Sequence, residues 1–305
     1  IGRLVGSEMC IRDSNMKNEF PVYSMGNFKT SRKDDVFYAN YLNPHVKTHH
    51  FTELPHKHDF YLVVLITQGT GTHEVDFKSY DVEPGIMFML KPGQMHFWKF
   101  SDDIDGFVFF HDATFFDEGY SAMSIREFDF FSSMQNEPVV YLKEQALSFI
   151  ANSMKLLIDE YRNDQLHKRS KLRSVIHLIY IEISRNYTPM YQLENRTYLG
   201  KLRQFEELVE ENFKEMKFAK DYASKLNISE KHLNRIVKNC LNKTSSSLIQ
   251  ERVILEAKRM LMHSELNVTE ISVALGFNES SYFIRFFKKK TGVTPMGFLN
   301  LYIKN

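Results

Sequence analysis

Two short basic segments sit 50 residues apart in the chain. The first is Leu233-Asn234-Arg235-Ile236-Val237-Lys238 and the second Phe283-Ile284-Arg285-Phe286-Phe287-Lys288, so Arg235 pairs with Arg285 and Lys238 with Lys288. In each, apolar positions recur at helical spacing and leave the cations on the opposite face. The outward set is Lys231, Asn234, Arg235 and Lys238 in the first copy. In the second it is Ser280, Ser281, Arg285 and Lys288. An α-helix fits the DNA major groove, where Arg, Asn and Ser hydrogen-bond base edges. Lys289 and Lys290 extend the second segment toward phosphates. Solvated helix faces also carry Lys and Arg, so either segment alone means little. Their duplication with a matched arginine points to double-stranded DNA as the partner.

The elements that must hold these segments repeat as well. Ala223-x-x-Leu226 aligns with Ser272-x-x-Leu275, with one extra residue in the second turn, and Asn242-Lys243-Thr244 aligns with Gly292-Val293-Thr294. Each copy therefore reads as helix, tight turn, helix. The first copy predicts a helix over 219–226, a turn at Asn227 and Ile228, and a second helix over 230–241 capped by Ser229. The second predicts a helix capped by Thr269 and ending at Leu275, a turn at Gly276 and Phe277, and a helix over 279–291, with Phe283, Phe286 and Phe287 inward. Residues 247–263 read as one continuous helix, a rod of about 25 Å. Such a strut can space two recognition helices roughly one DNA turn (~34 Å) apart on one duplex.

Composition is consistent with this division. The net charge of +1 hides an asymmetry: residues 198–305 carry 18 Lys+Arg against 12 Asp+Glu, a balance of +6, and the remainder is at −5. A basic part joined to an acidic part suggests that one of them meets a polyanion. The two cysteines, Cys10 and Cys240, exclude a disulfide scaffold and a Cys-rich zinc motif, and suit a reducing cytoplasm. No apolar run approaches the ~20 residues that span a bilayer, so no membrane partner is expected. No phosphate loop or nucleophile motif is present.

Residues 16–140 are strand-like. Residues 61–67 are β-branched and aromatic, and turns follow at 68–71, Pro84-Gly85 and Pro92-Gly93. His73, Val75 and Phe77 alternate with polar neighbours, and His96, Trp98 and Phe100 share one face. This pattern predicts an all-β barrel or sandwich. The period then changes: 143–162 and 168–187 are amphipathic helices, and 188–198 read as a linker. The stripe Leu172, Val175, Ile176, Ile179 and Ile183 suits either a coiled-coil seam in a homodimer or packing against the barrel. Residues 1–14 follow neither period and are similar to a translated sequencing adapter. We expect residues 1–15 to be non-native or disordered, with Met16 the natural start.

Residues 199–305 resemble the AraC/XylS regulators, most specifically in ISVALGFNESSYFIRFFKKKTGVTP over 271–295. The resemblance implies two helix-turn-helix units, a linking helix, and promoter binding that usually activates transcription through RNA polymerase. It puts Lys231, Asn234, Arg235, Ser280, Ser281 and Arg285 at base-reading positions. Ile284 stands where a small polar residue is frequent, and Asn242 where glycine is common. The N-terminal half is similar to the family's cupin-type sensor, through His56-x-His58 and Pro92-Gly93-x-x-His96, and the helices over 143–187 to its dimerisation helices. In metal-binding cupins two such histidines, a glutamate and a later histidine hold one ion. His56, His58 and His96 are suitable imidazoles, but Leu62 and Val63 stand where the glutamate belongs, so no cofactor is expected. Instead His58, His96 and Trp98 would line a pocket for a small organic, sugar-like effector, or be packed with no ligand.

The fold expected is α+β and multidomain: a cupin-like barrel with two amphipathic helices, then an all-α domain with two helix-turn-helix units. The function expected is a cytoplasmic, effector-responsive, dimeric transcription regulator without enzymatic activity. Two alternatives stand beside it: a metal-dependent cupin enzyme with an accessory DNA-binding domain, and a DNA binder without sequence preference.

Overall fold

The structure is a computed structural model, and it describes residues 21–28, 36–49, 54–118, 124–133, 135–189 and 196–303. The expectation for residues 1–15 lies outside these. Among the described residues the N-terminal half holds ten strands: β1 (Val22–Tyr23), β2 (Phe37–Tyr41), β3 (Lys57–His58), β4 (Tyr61–Gln68), β5 (Gly71–Val75), β6 (Lys78–Val82), β7 (Ile86–Leu90), β8 (His96–Phe100), β9 (Asp105–His111) and β10 (Val139–Tyr141). Short α-helices interrupt them at α1 (Leu42–Thr48), α2 (Ala113–Asp117) and α3 (Asp129–Ser132). These helices correct the all-strand reading of residues 16–140.

The strands form a five-stranded sheet in the order β10-β7-β4-β9-β2, a three-stranded sheet β6-β5-β8, and the pair β1-β3. The two larger sheets pack their inner faces together. His73 of β5 stands edge-on to Phe88 of β7 at 4.5 Å between ring centroids, and Trp98 of β8 approaches the same ring at 5.2 Å. The sheets are open, so the barrel expected from the sequence is a pair of facing sheets. Strands β4 and β7 are buried over almost their whole length because helices cover the outer face of the large sheet.

Helices α4 (Glu144–Arg162) and α5 (Lys168–Asn186) form that cover. The α5 stripe Leu172, Val175, Ile176, Ile179 and Ile183 is buried in the same core as β4 and β9. It is therefore spent within one chain, and the coiled-coil seam reading is withdrawn. His111 of β9 lies under α5. Its Nδ1 donates to the Asp112 carbonyl at 2.7 Å, so its Nε2 accepts from Tyr180 Oη at 2.7 Å.

A second core holds the rest. It is built by α6 (Arg196–Asn212), α7 (Ala219–Lys225), α8 (Glu230–Leu241), α9 (Ser245–His263), α10 (Val268–Ala274), α11 (Ser280–Thr291) and α12 (Pro295–Ile303). No helix among the described residues is long and apolar enough to cross a membrane.

Candidate nucleic-acid interface

The first turn is made by Asn227 at φ +54°, and Ile228 N–H reaches back to the Ala223 carbonyl at 3.0 Å. In the second copy Gly276 has φ +75°, and Phe277 N–H reaches Ser272 O at 3.0 Å. A Cβ on Gly276 would lie 2.0 Å from the Lys214 carbonyl oxygen, so only glycine fits there. The recognition helices α8 and α11 are both 12 residues long and start and stop 50 residues apart. Each ends on a left-handed residue, Asn242 at φ +53° and Gly292 at φ +83°. Asparagine tolerates that conformation, so it can stand for the glycine of the second copy. Thr244 and Thr294 then cap the next helix in each copy, accepting from Ser247 N–H and Gly297 N–H.

Leu233, Ile236 and Val237 are buried on the inner face of α8, and Phe283 and Phe287 on that of α11, with Phe286 half-buried. Lys231, Arg235, Lys238, Ser281, Arg285, Lys288, Lys289 and Lys290 are exposed on the other faces, and Ser280 is half-exposed. Asn234 departs from the expected outward set. It is half-buried, and its Oδ1 accepts from Ser245 N–H at 3.1 Å, tying α8 to the start of α9. The second unit opens on Asn267 rather than Thr269. Asn267 Oδ1 accepts from Thr269 N–H and Glu270 N–H, and Glu270 returns the contact at 2.7 Å to Asn267 N–H.

The linking helix α9 begins at Ser245, two residues before the sequence expectation, and its 19 residues make a rod of roughly 28 Å. It also meets the N-terminal half. Arg259 binds Asp76 through Nε at 2.9 Å and Nη2 at 2.8 Å; the arginine is buried and the aspartate mostly so. Burial alone would raise the Asp76 carboxyl, but Arg259 holds it below the usual carboxylate range. Two turns back on the same face of α9, and within the C-terminal half, Arg252 stacks on Phe213 and donates to Glu210 and Glu256. Arg203 to Asp129 and Ser133 to Glu206 add further polar links between the halves. Phe77 sits at a turn with φ +71° and packs on Phe298 and Tyr302 of α12. None of these cross-contacts had a signal in the sequence, because each joins residues more than 70 positions apart.

His58, His96 and Trp98 line a cavity between the sheets, together with Phe60, Val108 and Phe110. That cavity has a volume of about 30 Å³, the share of a single water molecule in the liquid. A second cavity of about 240 Å³ lies where the two halves meet, lined by Lys57, Asp76, Lys91, Gln94, Glu210, Glu256 and Arg259.

A family model described as an AraC-like ligand binding domain matches residues 42–176, and one described as a helix-turn-helix domain matches 222–300. The chain belongs to the AraC/XylS family. Among curated relatives, the HTH-type transcriptional regulator YfiF of Bacillus subtilis is 23% identical over 280 residues, covering 90% of this chain and 87% of its own. The HTH-type transcriptional activator RhaS of Yersinia pestis is 23% identical over 248 residues, covering 79% and 86%. A solved structure of fatty-acid-bound ToxT from Vibrio cholerae is similar at a TM-score of 0.44 and 14% identity, covering 88% of this chain and 96% of that one. As a member of the AraC/XylS family, the chain is a DNA-binding transcription regulator with a ligand-binding N-terminal half. The cupin-enzyme alternative finds no support.

Proposed function

We propose that this regulator is a cytoplasmic, non-enzymatic activator that binds promoter DNA as a homodimer, reading bases with α8 and α11 and recruiting RNA polymerase. The observation that carries it is the pair of equal, capped, cation-bearing helices on one buried core. In the proposed complex Lys231, Arg235, Ser280, Ser281 and Arg285 face base edges. Lys238, Lys288, Lys289 and Lys290 face phosphates. Asn234 serves to seat α8 on α9.

Volume decides where a sugar-like effector would go. Ligand pockets start near roughly 300 Å³, so the 30 Å³ cavity by His58, His96 and Trp98 is too small without opening. The polar 240 Å³ cavity against α9 suits such a molecule better. An effector bound there would bias the link between sensor and recognition helices.

The test is selection of bound sites from random duplexes, with and without candidate sugars. Two short motifs at fixed spacing are expected, with effector-dependent enrichment. Equal recovery of all sequences would reject base reading.

A further inference from the structure

We infer that Lys217 is a positioning residue for DNA reading: with Phe277 it braces the second helix-turn-helix unit against the first and so fixes the spacing at which α8 and α11 meet one duplex. The inference rests on the proposed reading of bases by both helices.

The linking helix α9 joins the two units, but a single helix sets a distance along its axis better than a rotation about it. The loop between α6 and α7 supplies a second tie. It leads directly into the first unit, since α7 begins at Ala219. Tyr222 of α7 is buried, and its Oη donates to the Met216 carbonyl of that loop at 2.9 Å. The end of α6 leaves carbonyls that no helical N–H serves. Lys217 Nζ donates to two carbonyls there, Phe213 O and Lys214 O, both at 2.6 Å.

The same ammonium lies 5.5 Å from the centre of the Phe277 ring, within reach of a cation–π contact. Burial lowers the Lys217 amine to about 8, and Glu215 partly offsets this, so the group is still a cation near neutral pH. Phe277 is buried in the second unit and packs on Phe283 and Phe286 of α11 at 5.3 and 5.5 Å. A continuous line of contacts therefore runs from α7 through Lys217 to the second reading helix. The backbones meet at the same place. The Lys214 carbonyl oxygen fills the space that a side chain on Gly276 would need, and Lys217 Nζ stands 3.4 Å from where its Cβ would be. From the other side, Arg252 of α9 covers the Phe213 ring at 3.9 Å. The end of α6 is thus held between the linking helix and the second turn.

Two rigidly joined reading helices reinforce each other only on half-sites at a matching spacing. One inserted base pair moves the half-sites about 3.4 Å apart and turns one by about 34°. A braced pair loses binding on such a duplex, and a loose pair follows the shift. The contact therefore sets which spacing is accepted, not the affinity for either half-site alone.

The experiment uses the full chain and fluorescence anisotropy on a selected site, on each half-site alone, and on the site with one base pair inserted between the halves. For the unaltered chain the insertion should weaken binding about 10-fold or more. Lys217→Met keeps the aliphatic stem but loses the charge and the donors. It should bind each half-site as the unaltered chain does and lose less than about 3-fold on insertion. Lys217→Arg keeps a cation and donors and should restore the full penalty. Phe277→Leu, made from the other side of the contact, should broaden the accepted spacing in the same way. It decides the matter even if Lys217→Met does not fold, and combining the two should add nothing further. An insertion penalty that stays whole in either variant overturns the brace, including when all duplexes weaken alike, which would mark a merely structural role. An unaltered chain that shows no preferred site at all overturns instead the base reading on which the brace rests.

Discussion

Arg259 of the linking helix and Asp76 of the β5–β6 turn face each other with two parallel hydrogen bonds, 183 residues apart in sequence and largely shielded from solvent. Removing one partner of such a pair strands a buried charge. Arg259→Leu should therefore cost on the order of 3–5 kcal/mol in urea-induced unfolding. A loss below about 1 kcal/mol would mean that water reaches the pair. Asp76 is held below its unfolded value, so its contribution is present above pH ~4 and is lost as pH falls through the depressed value.

Arg285 lies exposed on α11 with no other side chain competing for it among the described hydrogen bonds and ion pairs. Arg285→Ala should cost about 1–3 kcal/mol at a selected site and relax preference at one base pair. Lys290→Ala should weaken all sequences alike and lower the salt slope by about 0.9. Fluorescence anisotropy over a salt series separates the two. Operator binding unchanged by Arg285→Ala would remove this residue from the reading set.

Asn242 closes α8 in the left-handed region. Asn242→Gly should leave stability within about 0.5 kcal/mol, whereas Asn242→Ala should lose about 1–2 kcal/mol. Thermal melts of the two variants test this. An alanine variant as stable as asparagine would show that the turn relaxes.

His111 is neutral, satisfied and under α5, and burial lowers its pKa to about 4. The unfolded chain takes up that proton near pH 6.5, so the native state loses stability as pH falls from about 6.5 to 4. The loss from this group is on the order of 3 kcal/mol. His111→Gln should flatten the pH dependence of denaturant midpoints over that window. A slope identical to that of the unaltered chain would assign it to other histidines.

The recognition helices were legible because their signal is local and repeated. Leu233, Ile236 and Val237 recur as Phe283, Phe286 and Phe287, and the Ser229 cap is one residue from its helix. The second cap was misread because Asn267 and Thr269 both suit that role. The reciprocal contact from Glu270 decided for Asn267. The stripe on α5 showed its period but not its partner, since a sheet and a second copy select the same residues. Asn234 looked outward by helical spacing, yet the N–H it serves lies 11 residues on. The convergence of His73 on His96 depends on strand pairing, which no local pattern encodes.

The same rod that spaces the two recognition helices is gripped along its flank by the other half of the protein, through Gln135 on Glu251 and Arg259 on Asp76. A signal arriving at that flank cannot alter one reading head in isolation. It acts on the gauge between them, so the promoters that best fit, rather than the strength of grip on any one promoter, are what an inducer would retune.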